Sequence, residues 1–453
     1  MIDILRNPTY AKLFAAHSVA VLGTGMLTIA LSLLAFDLAG NAAGTVLGTA
    51  LAIKMVAYVC VSPIANAIAE RLPRKALLVG ADLVRAGIAL ALPFIDAIWQ
   101  VYALVFVLQS SSAVFTPAYQ ATIPDILEDE RSYTRALSLS RLAYELENLL
   151  SPALAGLLLL VMTYHGLFVG TFLGFVASAA LVCWAAIPPR RAQAGDRPFA
   201  ERLTRGTRIY LATPRLRGLL ALNLSATAAG AFILVDTVVV VRAGYGAAET
   251  DLAVAFAAFG AGSMAAALLL PRLLDSIADR PVMVVSALLL ALATAGFGLW
   301  WSVNGLPEWS MFLLAWATLG ILFSAVVTPS GRLLRRSVHA EDRTAIFAAQ
   351  FALSHACWLV TYLIAGWAGG LIGLPMTMVL LGGLALLGAL IAQTLWPVGD
   401  PTEVEHDHAD LDPNHPHIRR GGRSGRRHSH VFVIDDQHRS WPARSRPSSS
   451  RRR

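Results

Sequence analysis

Apolar residues run along this chain in long unbroken blocks, and neither the alternation of a half-buried strand nor the single stripe of a soluble helix is sustained. A block of about 20 residues is what a helix needs to cross the hydrocarbon core of a bilayer. Twelve such blocks are marked out, at residues 13–36, 45–69, 75–95, 99–122, 136–161, 166–187, 216–241, 251–274, 281–303, 309–331, 345–371 and 375–396. Each predicts a helix, because only a helix satisfies its own backbone groups inside lipid. The pattern predicts an all-α membrane protein of twelve transmembrane helices.

The polar connections carry the next information. Alternate ones are basic: Arg71, Arg74 and Lys75; Arg131 and Arg135; Arg190 through Arg217; Arg272 and Arg280; Arg332 through Arg343. The connections between them hold little positive charge beyond Arg242. This asymmetry places the N-terminus, the central loop and the C-terminal tail in the cytoplasm. The Pro-, Gly- and Arg-rich stretch at the middle divides the spans into two sets of six. The expected organisation is a six-helix bundle over 1–187, a cytoplasmic linker over 188–215, a second bundle over 216–396 and a flexible His- and Arg-rich tail over 397–453. Within the linker, Phe199, Leu203 and Ile209 form one stripe opposite Glu201, Arg202, Arg205 and Arg208, which predicts a short helix on the membrane surface.

The two halves echo one another. Thr116-Pro117 and Thr328-Pro329 close the fourth and tenth spans, and Asp129-Glu130-Arg131 and Glu341-Asp342-Arg343 follow at the same offset. The next span ends in Ala-Gly in both, Ala155-Gly156 and Ala365-Gly366, an alignment that sets Glu145 opposite His355. Internal duplication of this kind builds a central site between two pseudo-symmetric halves.

Composition agrees with the hydropathy pattern. Of 453 residues, 56% are hydrophobic and 14% charged, which excludes a soluble protein of two or three domains. The net charge of +7 resides in connections and tail, so it marks sidedness and lipid contact, not nucleic acid. Cys60, Cys183 and Cys357 stand singly in different blocks and form no disulfide or metal pattern. The first block is too long for a signal-peptide core and is expected to stay as a span.

Charge inside a span is the strongest pointer to function, since one at mid-depth costs about 3 kcal/mol. The stretch Arg141–Gly156 places Arg141, Glu145, Glu147 and Asn148 in the fifth span. Arg141 and Glu145 are one turn apart and able to pair, whereas Glu147 lies on another face with Tyr144 and Ser151. Pro152 cannot donate to the carbonyl of Asn148, so a kink is expected at Ser151 and Pro152. Lys54 lies mid-way along the second span and is expected to meet Glu147 or Glu145. Asp82 and Arg85 are one turn apart in the third span, His17 lies in the first and His355 in the eleventh. Glu145, Glu147, Arg141, Lys54 and His355 are the candidates for transport and ion coupling.

These residues resemble those of the major facilitator superfamily (MFS) over roughly residues 8–397. The loop between its second and third spans runs Gly-x-x-x-Asp-Arg-x-Gly-Arg-Arg, and here Asn66, Glu70, Arg71, Pro73, Arg74 and Lys75 occupy the corresponding positions, with both glycines replaced. The resemblance implies the MFS fold of two six-helix bundles and a gating role for Glu70, Arg71, Arg74 and Lys75, joined by the Asp82–Arg85 pair. Ser151-Pro152-Ala153-Leu154-Ala155-Gly156 is similar to the Gly-Pro-x-x-Gly-Gly of family antiporters, which implies export. The fourth span, with Gln109, lacks the buried Arg of many proton-coupled members, so proton coupling is expected to use other groups.

After Pro397 the chain turns polar and holds seven of the eleven histidines: His406, His408, His415, His417, His428, His430 and His438. Three His-x-His pairs among aspartates suit a borderline divalent ion such as nickel, zinc, cobalt or copper. The tail resembles the histidine-rich tails of family members that confer nickel resistance. The apolar island Val431–Ile434 is a candidate for docking on the body, and the final Arg and Ser residues for anionic lipid. No tightly bound cofactor is expected, and no HExxH, GxSxG or Walker pattern marks an enzyme. The expectation is a monomeric, multi-pass inner-membrane exporter exchanging protons for a divalent metal such as nickel, the alternative cargo being a drug, siderophore or other small organic molecule.

Overall fold

The computed structural model describes residues 2–61, 72–127, 132, 136, 139–140, 151, 154–188, 199–339, 342–399, 403–407, 427–435, 437–438 and 440–442. Its first helix, α1, runs Pro8–Ala39. Asn7 caps it by accepting the amides of Thr9 and Tyr10 at 3.0 Å, with Pro8 at the first helical position. Gly40, at φ +53°, ends it in a conformation that side chains with a Cβ avoid.

The remaining helices of the first half are α2 (Ala43–Val56, continued by a π turn over Ala57–Val61), α3 (Arg74–Ala91), α4 (Ile98–Ile126) and α5 (Tyr164–Trp184). The connecting helix α6 covers Phe199–Ala212. The second half holds α7 (Pro214–Val239, with a π turn over Val240–Gly244), α8 (Glu249–Ser276), α9 (Asp279–Asn304), α10 (Trp309–Val327), the short α11 (Ser330–Arg336), α12 (Arg343–Ile372) and α13 (Leu374–Leu395). Among the described residues ten stretches are long and apolar enough to cross a membrane, and the first of them, Pro8–Val61, contains both α1 and α2. Most of the expected fifth span lies outside the described residues.

Packing repeats between the halves. In the first, α5 lies against α1 and α3, and α3 against α4; in the second, α13 lies against α7 and α9, and α9 against α10. Large apolar side chains such as Leu268, Leu314 and Leu371 remain 67%, 68% and 79% exposed, which suits a protein whose outer surface meets acyl chains. The fold is therefore that of two six-helix bundles.

Ion pairs tie helices together at the end that carries the basic loops. Arg74 at the start of α3 pairs with Asp125 at the end of α4. At the equivalent place in the second half the signs are reversed: Asp279 at the start of α9 meets Arg332 at 2.9 Å and Arg336 at 3.6 Å. Lys75 donates to the carbonyl of Ala185 at 3.2 Å. Asp82 and Arg85 pair inside the first bundle, with Ser178 of α5 donating to Asp82 at 2.7 Å and the guanidinium lying 4.3 Å from the Phe115 ring centre.

Two expectations are corrected. Helix α6 forms as anticipated, but Arg205 does not face water with Arg208; it is 5% exposed and holds Asp342 through two bonds of 2.6 and 3.0 Å. The reason is Gly206, where a methyl would collide with the carbonyl of Ala345, so α6 lies directly on α12 and buries its neighbouring arginine. The tail is not simply flexible: Glu403–Asp407 (β1) and Arg427–Val431 (β2) pair as an antiparallel ribbon. Beside it, Phe432 and Ile434 join the main core at 2% and 1% exposure, so the apolar island does dock on the body. His438 donates backbone and ring N–H to Asp435 at 2.7 and 3.0 Å. Burial pushes the Asp435 carboxyl up, but these bonds outweigh it and hold the group well below the usual carboxylate range.

Candidate functional site

The halves meet along α2 and α12, and small residues make that meeting close. A Cβ on Gly48 would lie 2.6 Å from the Tyr362 carbonyl, and one on Gly366 would lie 2.6 Å from the Gly44 carbonyl. Thr45 adds a hydrogen bond of 2.8 Å to the carbonyl of Gly366. Across the molecule, a Cβ on Gly156 would touch that of Ala253 on α8 at 3.3 Å. Gly156 and Gly366 are the two glycines of the repeated Ala-Gly, so the duplication marks where each half presses on the other. Both contacts sit at the end opposite the basic loops, here called the far end.

Toward the middle, small residues give way to rings. Tyr58 lies 5.6 Å from Phe351 and 5.3 Å from His355, joining α2 to α12. The His355 ring nitrogen Nδ1 is 2.7 Å from the carbonyl of Phe351, and Lys54 comes within electrostatic range of the imidazole. The row continues through Trp358, 4.9 Å from Tyr362 and 6.3 Å from Phe323, to Phe259 of α8 at 5.7 Å from Phe323. Lys54 also lines a small cleft with Thr24 and Thr28 of α1 and Gln109 of α4. Rings with a few polar groups and one cation present a surface suited to an amphiphilic organic molecule.

Lys54 and His355 are thus brought near one another, a pairing the sequence reading did not make; Glu145 and Glu147, the partners expected for Lys54, lie outside the described residues. Arg74, Lys75, Asp82 and Arg85 hold helices within the first half. Ser151 is buried, with its hydroxyl 3.4 Å from the carbonyl of Leu22. Glu70, Arg71, Arg141, Glu145, Glu147, Pro152, His408, His415 and His417 lie outside the described residues. His406 stands opposite His428 in the ribbon, and His430 opposite Val404. His17 is 2% exposed and stacks on Tyr119 at 4.2 Å between ring centres, a packing residue.

Sequence reading missed Asp236. It lies in α7 at the far end, fully buried, and lines a cavity of about 400 Å³ with Asn41, Thr45 and Gly369. The signal was present: a lone acid in the run FILVDTVVVV is a charge within a span, as Glu145 is. It lacked a proline or a second charge to draw notice.

The chain matches the Major Facilitator Superfamily over residues 13–246 and again over 219–434. It belongs to that superfamily. Among its relatives, this MFS transporter is 25% identical to macrolide efflux protein A of Streptococcus pyogenes over 225 residues, which are 48% of this chain and 54% of that protein. The chain thus spans about half the length of the macrolide efflux protein it matches. It is 26% identical to the uncharacterized MFS-type transporter YfiS of Bacillus subtilis over 348 residues, 74% of this chain and 80% of that one. In structure it is similar to a bacterial homolog of the human lysosomal transporter Spinster, inward-facing and unoccupied, with a TM-score of 0.67, 13% identity and coverage of 86% and 96% of the two chains. A D-xylose-proton symporter superposes with a TM-score of 0.65 at 14% identity, over 86% of this chain and 98% of the other. These likenesses concern the fold.

Proposed function

We propose that this MFS transporter is a secondary exporter that moves an amphiphilic organic molecule outward by alternating access, in exchange for protons. The observation that carries the reading is the run of ring contacts from Tyr58 to Phe259, with Lys54 within electrostatic range of the His355 ring that touches Tyr58. The similarity to macrolide efflux proteins supports it. The basic loops support a cytoplasmic location for both termini, and on that reading the far end faces outward. One chain suffices for the cycle, because both sides of the seam come from it. Proton exchange is assigned to carboxyls within the spans, Glu145 and Glu147 among them.

Cells lacking other exporters and expressing this chain are expected to extrude macrolides or lipophilic dyes, and collapse of the proton gradient is expected to stop them. Extrusion unchanged by the protein for every organic probe, with nickel efflux in the same cells, would overturn the organic cargo.

A second reading, a divalent metal such as nickel as cargo or as a ligand of the tail, is favoured by the ribbon register. Directly opposite strand residues have Cβ atoms roughly 5 Å apart, a spacing at which two imidazoles share one ion. Full-length protein is then expected to bind nickel or zinc at neutral pH, and binding is expected to weaken as pH falls through the imidazole range, since protonated rings do not ligate. Calorimetry giving the same isotherm for the native protein and for His406→Ala with His428→Ala would sink this reading.

A further inference from the structure

Among the described residues neither carboxyl oxygen of Asp236 meets a hydrogen-bond donor, although the residue is fully buried. Backbone presses on it from two helices, since a Cβ on Gly44 of α2 or Gly369 of α12 would lie 2.8 or 3.1 Å from its Oδ1. The cavity it lines lies at the far end of the seam, and the π turn after α7 supplies Ala243 and Gly244 to the same wall. A π turn makes the helix end locally adaptable.

The charged groups on the surrounding elements are engaged elsewhere. Asp37 of α1 accepts from the Tyr164 hydroxyl at 2.6 Å, and Arg242 of the π turn donates to the Ala247 carbonyl at 2.6 Å. At the start of α8, Asp251 caps Ala248 at 2.8 Å, and Glu249 makes no bond to Asp236. The walls from α2, α12 and α13 present Gly44, Thr45, Gly366, Gly369 and Leu374. Among the described residues no cation pairs with the carboxyl, and a buried charge is costly unless it is paired or hydrogen-bonded.

We propose that Asp236 is a proton-binding latch for the far end of the seam: as the neutral acid it lets α2, α7 and α12 close over it, and loss of its proton opens that end to water. The step is a simple protonation, carboxylate plus proton giving the acid, with no other bond made or broken. It rests on the alternating-access reading and names the residue through which protons act on it. Asn41 and Thr45 complete a cavity that admits water to the carboxyl once the seam parts.

The test reads conformation, so it does not depend on the cargo. Cys60, Cys183 and Cys357 are replaced by serine, and Val239→Cys is introduced in the cavity wall, where Val239 is 7% exposed. Its rate of reaction with a membrane-impermeant thiol reagent in vesicles is divided, at each pH, by that of Glu308→Cys in the exposed loop after α9, which removes the titration the two thiols share, and the same ratio in Asp236→Asn accounts for what is particular to the buried one. With Asp236 intact this ratio is expected to rise about tenfold between about pH 5.5 and about pH 8.5. Asp236→Asn is expected to hold it low throughout, and Asp236→Glu to restore the rise. A flat ratio with Asp236 intact, or a rise that survives Asp236→Asn, overturns the proposal. So does a ratio that follows sodium at fixed pH and ignores pH, which would give the site to a metal cation. Failed transport with the expected labelling pattern would count against the proposed cargo and leave the latch standing.

Discussion

Gly366→Val is expected to abolish transport while the chain still inserts and folds. A Cβ there would come within 2.6 Å of the Gly44 carbonyl and 3.0 Å of the Gly48 Cα, both backbone atoms of α2 that cannot rotate away. Overpacking of this kind costs roughly 1 to 3 kcal/mol, and here the cost falls only on the state in which the far end is shut. A bias of that size shifts a two-state equilibrium by about 5- to 150-fold, enough to hold the seam apart through most of the cycle. Gly383→Val on α13 is the control, because nothing lies within 4 Å of a Cβ at that position. Efflux and labelling of the far end, measured side by side, check the idea. Native efflux in Gly366→Val would mean that this seam does not close during turnover.

The second large effect concerns stability. Arg205 and Asp342 are each buried with 5% of their side chains exposed, and the fork between them is bidentate. Arg205→Ala strands a carboxylate beneath α6, which costs about 3 to 5 kcal/mol in buried pairs of this kind. The expected result is a large drop in the thermal midpoint of the detergent-solubilised protein. Replacing both partners by leucine removes the stranded charge, so the double variant is expected to recover most of the loss. If Arg205→Ala melts with the native protein, the pair contributes nothing and α6 is held by other contacts, those of Ile209 and Tyr210 among them, both fully buried.

Much of this was legible in the residues themselves because lipid leaves a chain few options. Apolar blocks had to become helices, and the repeated Ala-Gly at 155–156 and 365–366 had to mean something that a side chain would spoil; both glycines lie at contacts between the halves. What escaped was set by neighbours distant in sequence. The helical wheel of α6 put Arg205 on its wet face, and only the approach of Ala345 to Gly206 reverses that. Asp236 escaped because its isolation is a property of three packed helices. Its run of residues shows a single acid; what covers it among the described residues is Gly44 and Gly369, whose lack of side chains lets them approach and which bring no side-chain donor.

The grip of Arg205 on Asp342 also assigns the connecting helix to one lobe. With α6 fastened to α12, the second bundle carries its own shelf at the end of the basic loops, and 189–198 is the stretch of chain between the described parts of the two bundles. Ten residues of chain span at most roughly 35 Å. Because the Arg205–Asp342 grip lies beyond that stretch, a protease cut within 189–198 is expected to leave α6 seated on the second lobe and efflux unchanged.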